Sequence, residues 1–149
     1  QMLYGDELMF RSTDRSKGHP TLRVDFPGGW PGDRINLFDR AQHTGAAKEV
    51  YDYTRQIMNW RKSKDVIHNG KTLQFIDRDN TYAFFRYNDD EVVFVYINNT
   101  NNERVVPWER YSEISEGLDE GRNVITGQSV VMSGLKVAPM SALVVEFAR

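Results

Sequence analysis

The chain has no cysteine among its 149 residues. That excludes disulfide staples, thiolate nucleophiles and thiolate metal ligands, and leaves the compartment open. No apolar run approaches the ~20 residues that a spanning helix needs. Histidine is scarce: His19, His43 and His68 stand far apart, and none has a second His or Cys at ligand spacing, which argues against zinc. Asp77-x-Asp79-Asn80 offers oxygen donors but lacks the Gly and distal Glu of a Ca²⁺ loop, so it reads as a turn. No metal or cofactor is expected. Neither half carries a basic excess: Lys+Arg against Asp+Glu is 11 to 9 over residues 1–70 and 8 to 12 over residues 71–149. Nucleic acid and membrane surfaces are therefore not expected partners. Ser and Thr residues lack a nucleophile-elbow context. Phe26-Pro27-Gly28-Gly29-Trp30 lacks both the spacing and the following helix of a phosphate-binding loop. There is no initiator Met and no signal-peptide pattern, and Gln1 directly before an apolar stretch suggests a cut chain.

What is present suits a packed core. Apolar residues make up 40% and aromatics 12%, which argues against disorder. The length allows one ordinary domain or two small ones. Met2-Leu3-Tyr4 reads as a short buried strand opening through Gly5 onto a loop, with glycine permitting a close approach or an unusual turn. Residues 11–44 are rich in Gly, Pro and charge but hold Phe26, Trp30 and Phe38, so an ordered loop is expected; so long a connection is either functional or a plain surface excursion.

A helix is expected from Thr44, whose hydroxyl can cap a first-turn N–H. Ala46, Val50, Tyr53, Ile57 and Trp60 form one stripe at steps of four and three, read as core packing. The helix should end before the turn signal Asn69-Gly70. The period then changes. Strands are expected over residues 72–76, 81–87, 91–98, 103–107, 123–125, 129–132, 135–137 and 142–147, with Asx- and Gly-rich punctuation between them. In the third, Val92, Phe94 and Tyr96 face one side and Val93, Val95 and Ile97 the other, which implies a central strand covered on both faces. The pattern is that of an antiparallel sandwich.

Asp6 and Glu7 are adjacent acids. Glycoside hydrolysis needs two carboxyl groups roughly 5–10 Å apart across one bond. Neighbours in a strand face opposite sides, so this pair does not serve. One of them could orient an arginine or meet a substrate hydroxyl, while Glu7 reads better as an acid hydrogen-bonded to loop backbone. Trp30 and Trp108 could stack on sugar rings, although packing is the plainer reading of each.

The segment Gln1-Met2-Leu3-Tyr4-Gly5-Asp6-Glu7 resembles the eighth-strand motif of the α-amylase family of glycoside hydrolases, in which Gly-x-Pro is followed by Tyr-Gly-x-Glu. Here Tyr4-Gly5-Asp6-Glu7 matches, and the Gly-x-Pro would lie upstream of Gln1. Residues 23–30, the helix end Trp60-Arg61-Lys62, and residues 82–87 and 92–98 are similar to cyclomaltodextrinase- and neopullulanase-type members. The resemblance implies an α+β fragment: residues 1–66 as the last strand, loop and helix of a (β/α)8 TIM barrel, and residues 67–149 as an antiparallel β-sandwich C-terminal domain. Members cleave α-1,4 (sometimes α-1,6) glucosidic bonds with three acids placed after strands four, five and seven. All three would lie upstream, so no catalytic residue is expected in this chain. Asp6, Arg23, Asp25 and Trp30 are the candidate substrate-binding residues at the barrel face, with Arg23 able to pair with Asp6, Glu7 or Asp25.

The resemblance further implies the N-terminal remainder of the same enzyme and an α-glucan oligosaccharide as partners, a possible homo-oligomer, and a bacterial periplasmic or cytoplasmic setting. Two rival readings are a non-catalytic carbohydrate-binding β-sandwich, which needs a flat platform of exposed aromatics, and a protein-interaction domain, which needs a large exposed apolar patch.

Overall fold

A computed structural model describes residues 2–149, with the backbone alone described for Leu22. Gln1, the first residue of the expected strand motif, lies outside the described residues. The chain divides into two units, residues 1–58 and 59–149, and the division falls inside one helix.

In the second unit a short helix, α2 (Asp65–His68), leads into eight strands: β1 (Lys71–Arg78), β2 (Thr81–Tyr87), β3 (Glu91–Asn98), β4 (Arg104–Val105), β5 (Glu120–Asn123), β6 (Ser129–Val131), β7 (Lys136–Val137) and β8 (Ser141–Ala148). Six of them form an antiparallel sheet in the order β1-β2-β3-β8-β5-β6, and β4 pairs with β7 in a two-stranded ribbon. The β1–β2 turn uses Asp79 and Asn80 at φ 51° and 57°. Residues of this type tolerate the left-handed region that a two-residue hairpin needs. The turn reading of this acidic stretch therefore holds. β2 and β3 have the expected bounds, with Thr81 opposite Asn98 and Tyr87 opposite Val92.

Alternation along the strands decides the core. Ala83, Phe85, Val92, Phe94, Tyr96, Val145 and Phe147 point to one face of the sheet and are buried. They meet Val106, Tyr111, Ile114, Leu118, Met132 and Val137. The opposing layer is thus the β4–β7 ribbon together with the helical turns Trp108–Tyr111 and α3 (Ser112–Ser115), not a second full sheet. Those turns fall between two expected strands, where no 3.6-residue pattern is long enough to read. On the other face, α2 packs on β2 and β3, and Val66 and Val93 are fully buried. β3 is therefore covered on both faces at its start, while Ile97 at its far end is exposed.

Asn98 closes this module. It is 1% exposed. Its Nδ2 donates to the carbonyls of Asn102 (2.8 Å), Val137 (3.1 Å) and Ala138 (2.8 Å), and its Oδ1 accepts from the N–H and hydroxyl of Thr100. One amide ties the end of β3 to the end of β7.

In the first unit the expected strand at residues 2–4 does not form. Leu3 and Tyr4 lead into a turn and a 3-10 helix at Asp6–Leu8. A strand needs a neighbour to complete its hydrogen bonds. Here the Leu3 N–H donates to Asp6 Oδ2 (2.8 Å) and the Gly5 N–H to Glu7 Oε2 (3.0 Å), so local carboxylates replace a ladder. Residues 10–44 form an ordered loop with 3-10 turns at Arg15–Lys17, His19–Leu22 and Arg40–Gln42. The helix α1 (Gly45–Lys62) begins where expected and ends at Lys62, as the resemblance implies and well before Asn69-Gly70; it breaks at Ser63-Lys64 before α2. Its apolar stripe is not core: no residue of α1 is buried, Ala46 and Tyr53 are exposed, and Val50, Ile57 and Trp60 are half-buried.

Candidate functional site

The first unit is built by its glycines, aromatics and short polar bonds. Gly5 has φ 88°, and a Cβ there would lie 2.2 Å from the Phe10 ring, so the close approach expected of this glycine is real. Gly28 has φ 115° and packs against Asn36 in the same way, which closes the inner segment between residues 28 and 36; the Leu37 N–H donates to Pro27 O at 2.9 Å. Phe26 lies between Phe10 and Phe38, with ring centroids at 5.5 and 4.6 Å.

His43 anchors the loop to α1. It is 5% exposed and packs edge-on against Tyr51 at 4.5 Å. Its Nε2 lies 2.9 Å from Leu37 O. A carbonyl only accepts, so Nε2 carries the proton. This histidine is a structural hydrogen-bond donor, and among the described residues no cluster of metal-binding side chains exists. Nearby, the Lys48 ammonium bonds Asp52 and, with Arg40, holds the Asp52 carboxyl below the usual carboxylate range.

These elements form an open pocket of about 450 Å³ lined by Tyr4, Glu7, Leu8, Phe26, Leu37, Phe38 and Tyr51. Four aromatic rings and one carboxylate face it. Glu7 is half-buried, and one of its oxygens is held by the Gly5 N–H, as expected of an acid bonded to loop backbone. Tyr4 is kept in place by its hydroxyl, which donates to Val24 O at 3.1 Å. Such a pocket can stack a sugar ring and accept from one hydroxyl. It does not set a second carboxyl opposite Glu7, so it has no hydrolytic pair of its own.

The four residues singled out from the sequence lie elsewhere. Asp6 is exposed and accepts from Leu3; Arg23 and Asp25 are exposed; Trp30 is 77% exposed. None of them lines the pocket, and among the described residues no ion pair joins Arg23 to Asp6, Glu7 or Asp25. Tyr4, Phe26, Phe38 and Tyr51 went unread as a site because they are spread over nearly fifty positions with no spacing rule. The one available signal was aromatic content inside a polar loop. Trp108 is settled as packing: it stacks on Phe147 at 5.9 Å and meets Phe94 edge-on at 5.0 Å.

Solved structures share this fold. The chain superposes on Eubacterium rectale Amy13B with a TM-score of 0.61 at 19% identity, over 96% of this chain and 30% of that one. Against AmyP in complex with maltose the TM-score is 0.61 at 18% identity, over 77% of this chain and 22% of that one. Against an α-amylase from Anoxybacillus it is 0.55 at 21% identity, over 78% and 26%. The chain thus spans less than a third of each of these proteins. The β module carries the family: residues 72–146, half of the chain, match the model described as the cyclo-malto-dextrinase C-terminal domain. With its antiparallel sheet and filled core in that register, the chain belongs to the cyclo-malto-dextrinase C-terminal domain family, within the α-amylase family of glycoside hydrolases.

Proposed function

We propose that this chain is the rear portion of a cyclomaltodextrinase- or neopullulanase-like enzyme that cleaves α-1,4-glucosidic bonds of cyclodextrins, maltooligosaccharides or pullulan. The observation that carries this reading is the family match over residues 72–146. Residues 1–66 then belong with the (β/α)8 barrel of that enzyme and residues 67–149 are its C-terminal domain. The catalytic acids reside in the N-terminal remainder, which is the chain's first partner; the α-glucan is its second. Asp6, Arg23, Asp25 and Trp30 serve the substrate face, and the free indole of Trp30 is available for stacking. The aromatic pocket around Glu7 supplies a further sugar contact from the same loop.

The β module itself acts as a stabilising partner. Its large aromatics (Phe85, Phe94, Trp108, Tyr111) are used inside the core, which leaves them unable to form a flat sugar platform. The test is an assay of this chain with β-cyclodextrin and maltoheptaose, alone and joined to the upstream sequence. The chain alone releases no sugar and the joined form does. Release by the chain alone would overturn the reading. In the joined form, Trp30→Ala and Phe38→Ala raise KM; unchanged KM in both removes the loop from the substrate face.

A further inference from the structure

A second cavity, of about 270 Å³, lies in the β module at the β1–β2 turn, far in character from the aromatic pocket. Arg78, Arg104 and Arg110 all line it, against a single carboxylate, Asp79, and the hydroxyl of Thr81. The three cations arrive from separate elements: Arg78 ends β1, Arg104 opens β4, and Arg110 sits on the helical turn after β4. Sequence separation hid the cluster, since no two of them are neighbours.

The unmet donor among them is on Arg104. Arg110 Nη2 donates to Ile76 O at 2.5 Å, and its guanidinium also lies 6.0 Å over the Tyr111 ring, so Arg110 is fixed at the rim of the pocket by contacts of its own. Thr81 Oγ1 is spent on Arg78 O at 2.7 Å. Arg104 is half-buried, and its Nε is shut from solvent with no hydrogen-bond partner. It is the one such side-chain atom among the described residues. A buried donor on a cation without an acceptor is costly, and native structures rarely leave one without a water, an ion or a ligand to accept from it. Three guanidinium groups converging on a pocket with one carboxylate leave a net positive site that matches a compact dianion through forked, charge-assisted hydrogen bonds.

We propose that this pocket binds a phosphate group, either inorganic phosphate or the phosphate of a sugar ester, with Arg104 as its central donor and Arg78 and Arg110 flanking it. A phosphate oxygen accepts from Arg104 Nε. The volume leaves room for a phosphate and several waters, each water needing roughly 30 Å³. Asp79 opposes the anion and weakens binding. The site is independent of the glucan reading, since it uses none of the residues of the first unit.

The experiment titrates the chain with inorganic phosphate, glucose 6-phosphate and acetate at constant ionic strength, following amide shifts of residues 78–81 and 104–110. Saturable binding by a phosphate with a Kd on the order of 1 mM is expected, weaker at high salt. Tighter binding of the ester identifies a sugar phosphate as the source; tighter binding of inorganic phosphate identifies the free ion. Arg104→Met should weaken binding at least tenfold. Asp79→Asn, a residue suited to the left-handed turn, should leave the fold intact and tighten binding several-fold. A structural role for Asp79 alone would not produce that gain. Absence of saturation with either phosphate, acetate binding as tightly as phosphate, or no change in both variants overturns the proposal.

Discussion

The two units use similar residues to opposite ends. In residues 59–149 aromatic and β-branched side chains alternate on paired strands, and Phe85, Phe94, Val92 and Val145 are completely buried. In residues 2–58 Leu8 is the one buried hydrophobic side chain among the described residues, although Phe10, Phe26, Phe38 and Tyr51 lie in the same stretch. The difference is not composition but pairing. Strands bury a side chain by repeating a spacing that a neighbour can match. The loop has no ladder, so its backbone groups are satisfied one at a time by Asp6, Glu7, Asp14, Asp33 and Asp39, and its rings line an open pocket. Most of the buried apolar side chains therefore lie in the second unit, and the first is held mainly by polar bonds and exposed rings, the kind of loop to which the proposed function assigns the substrate face.

One residue type placed in both units tests this most sharply. Phe94→Ala removes a fully buried ring that contacts Phe85, Trp108 and Tyr111, and should cost about 4 kcal/mol in denaturant unfolding. Phe38→Ala removes a ring that is 67% exposed and should cost less than about 1 kcal/mol. Equal losses would erase the contrast between the units.

Next in size is Asn98. Replacement by leucine keeps the bulk and strips the donors from the carbonyls of Asn102, Val137 and Ala138, so a loss of about 3 kcal/mol is expected. Hydrogen exchange reads the location: the β3–β8 amides should lose protection while the amides of residues 2–44 do not change.

Legibility in the sequence followed the same division. β2 and β3 were readable to the residue because a period of two runs for seven or eight positions with Asx turns at both ends. The helix start was readable from Thr44 and its end at Trp60-Arg61-Lys62 from the resemblance; what carried no local signal is that Lys64, just past the break, reaches Glu91 and Glu146 on the sheet across 27 and 82 positions. Asn98 and the three arginines carry no local signal, since their meaning depends on which carbonyls and cations the topology gathers. The strand at residues 2–4 was misread because an apolar run looks alike whether or not a neighbour exists to pair with it. The α1 stripe was misread for a related reason: periodicity shows that a face is apolar, not that anything covers it.

The Lys64 cluster gives the next effect. Glu146 accepts from Trp60 Nε1 at 2.9 Å and pairs with Lys64 at 2.9 Å and Arg122 at 3.0 Å. Burial alone would raise the Glu146 pKa, but the Trp60 N–H and the Lys64 and Arg122 charges outweigh it and hold it below its usual 4.5. Burial would lower Lys64, and Glu91 and Glu146 outweigh it and hold it above 10.5. A lowered carboxylate stabilises above its unfolded pKa and loses that contribution as pH falls through the folded value. A raised lysine stabilises below 10.5 and loses it as pH rises through the higher folded value. Glu146→Gln should therefore cost about 2 kcal/mol near neutral pH, a gap that is flat across the neutral range and shrinks below about pH 4.5. A gap that persists undiminished into acid would mean that packing, not charge, holds the α1 end to the sheet.

The smallest effect on stability is also the most telling for the first unit. Trp30 is 77% exposed and touches the fold chiefly through its backbone, whose N–H donates to Asp33 Oδ2 at 3.0 Å. Trp30→Ala should leave that bond in place and shift unfolding by less than about 0.5 kcal/mol. Under the proposed function this exposed indole meets the glucan. In the enzyme joined to its upstream sequence, maltoheptaose should quench or blue-shift the tryptophan emission, and the change should vanish in Trp30→Ala with stability untouched. A Trp30→Ala chain that unfolds several degrees earlier would instead place this indole among the supports of the loop, and the contrast between a stabilising module and a recognising one would have to be drawn without it.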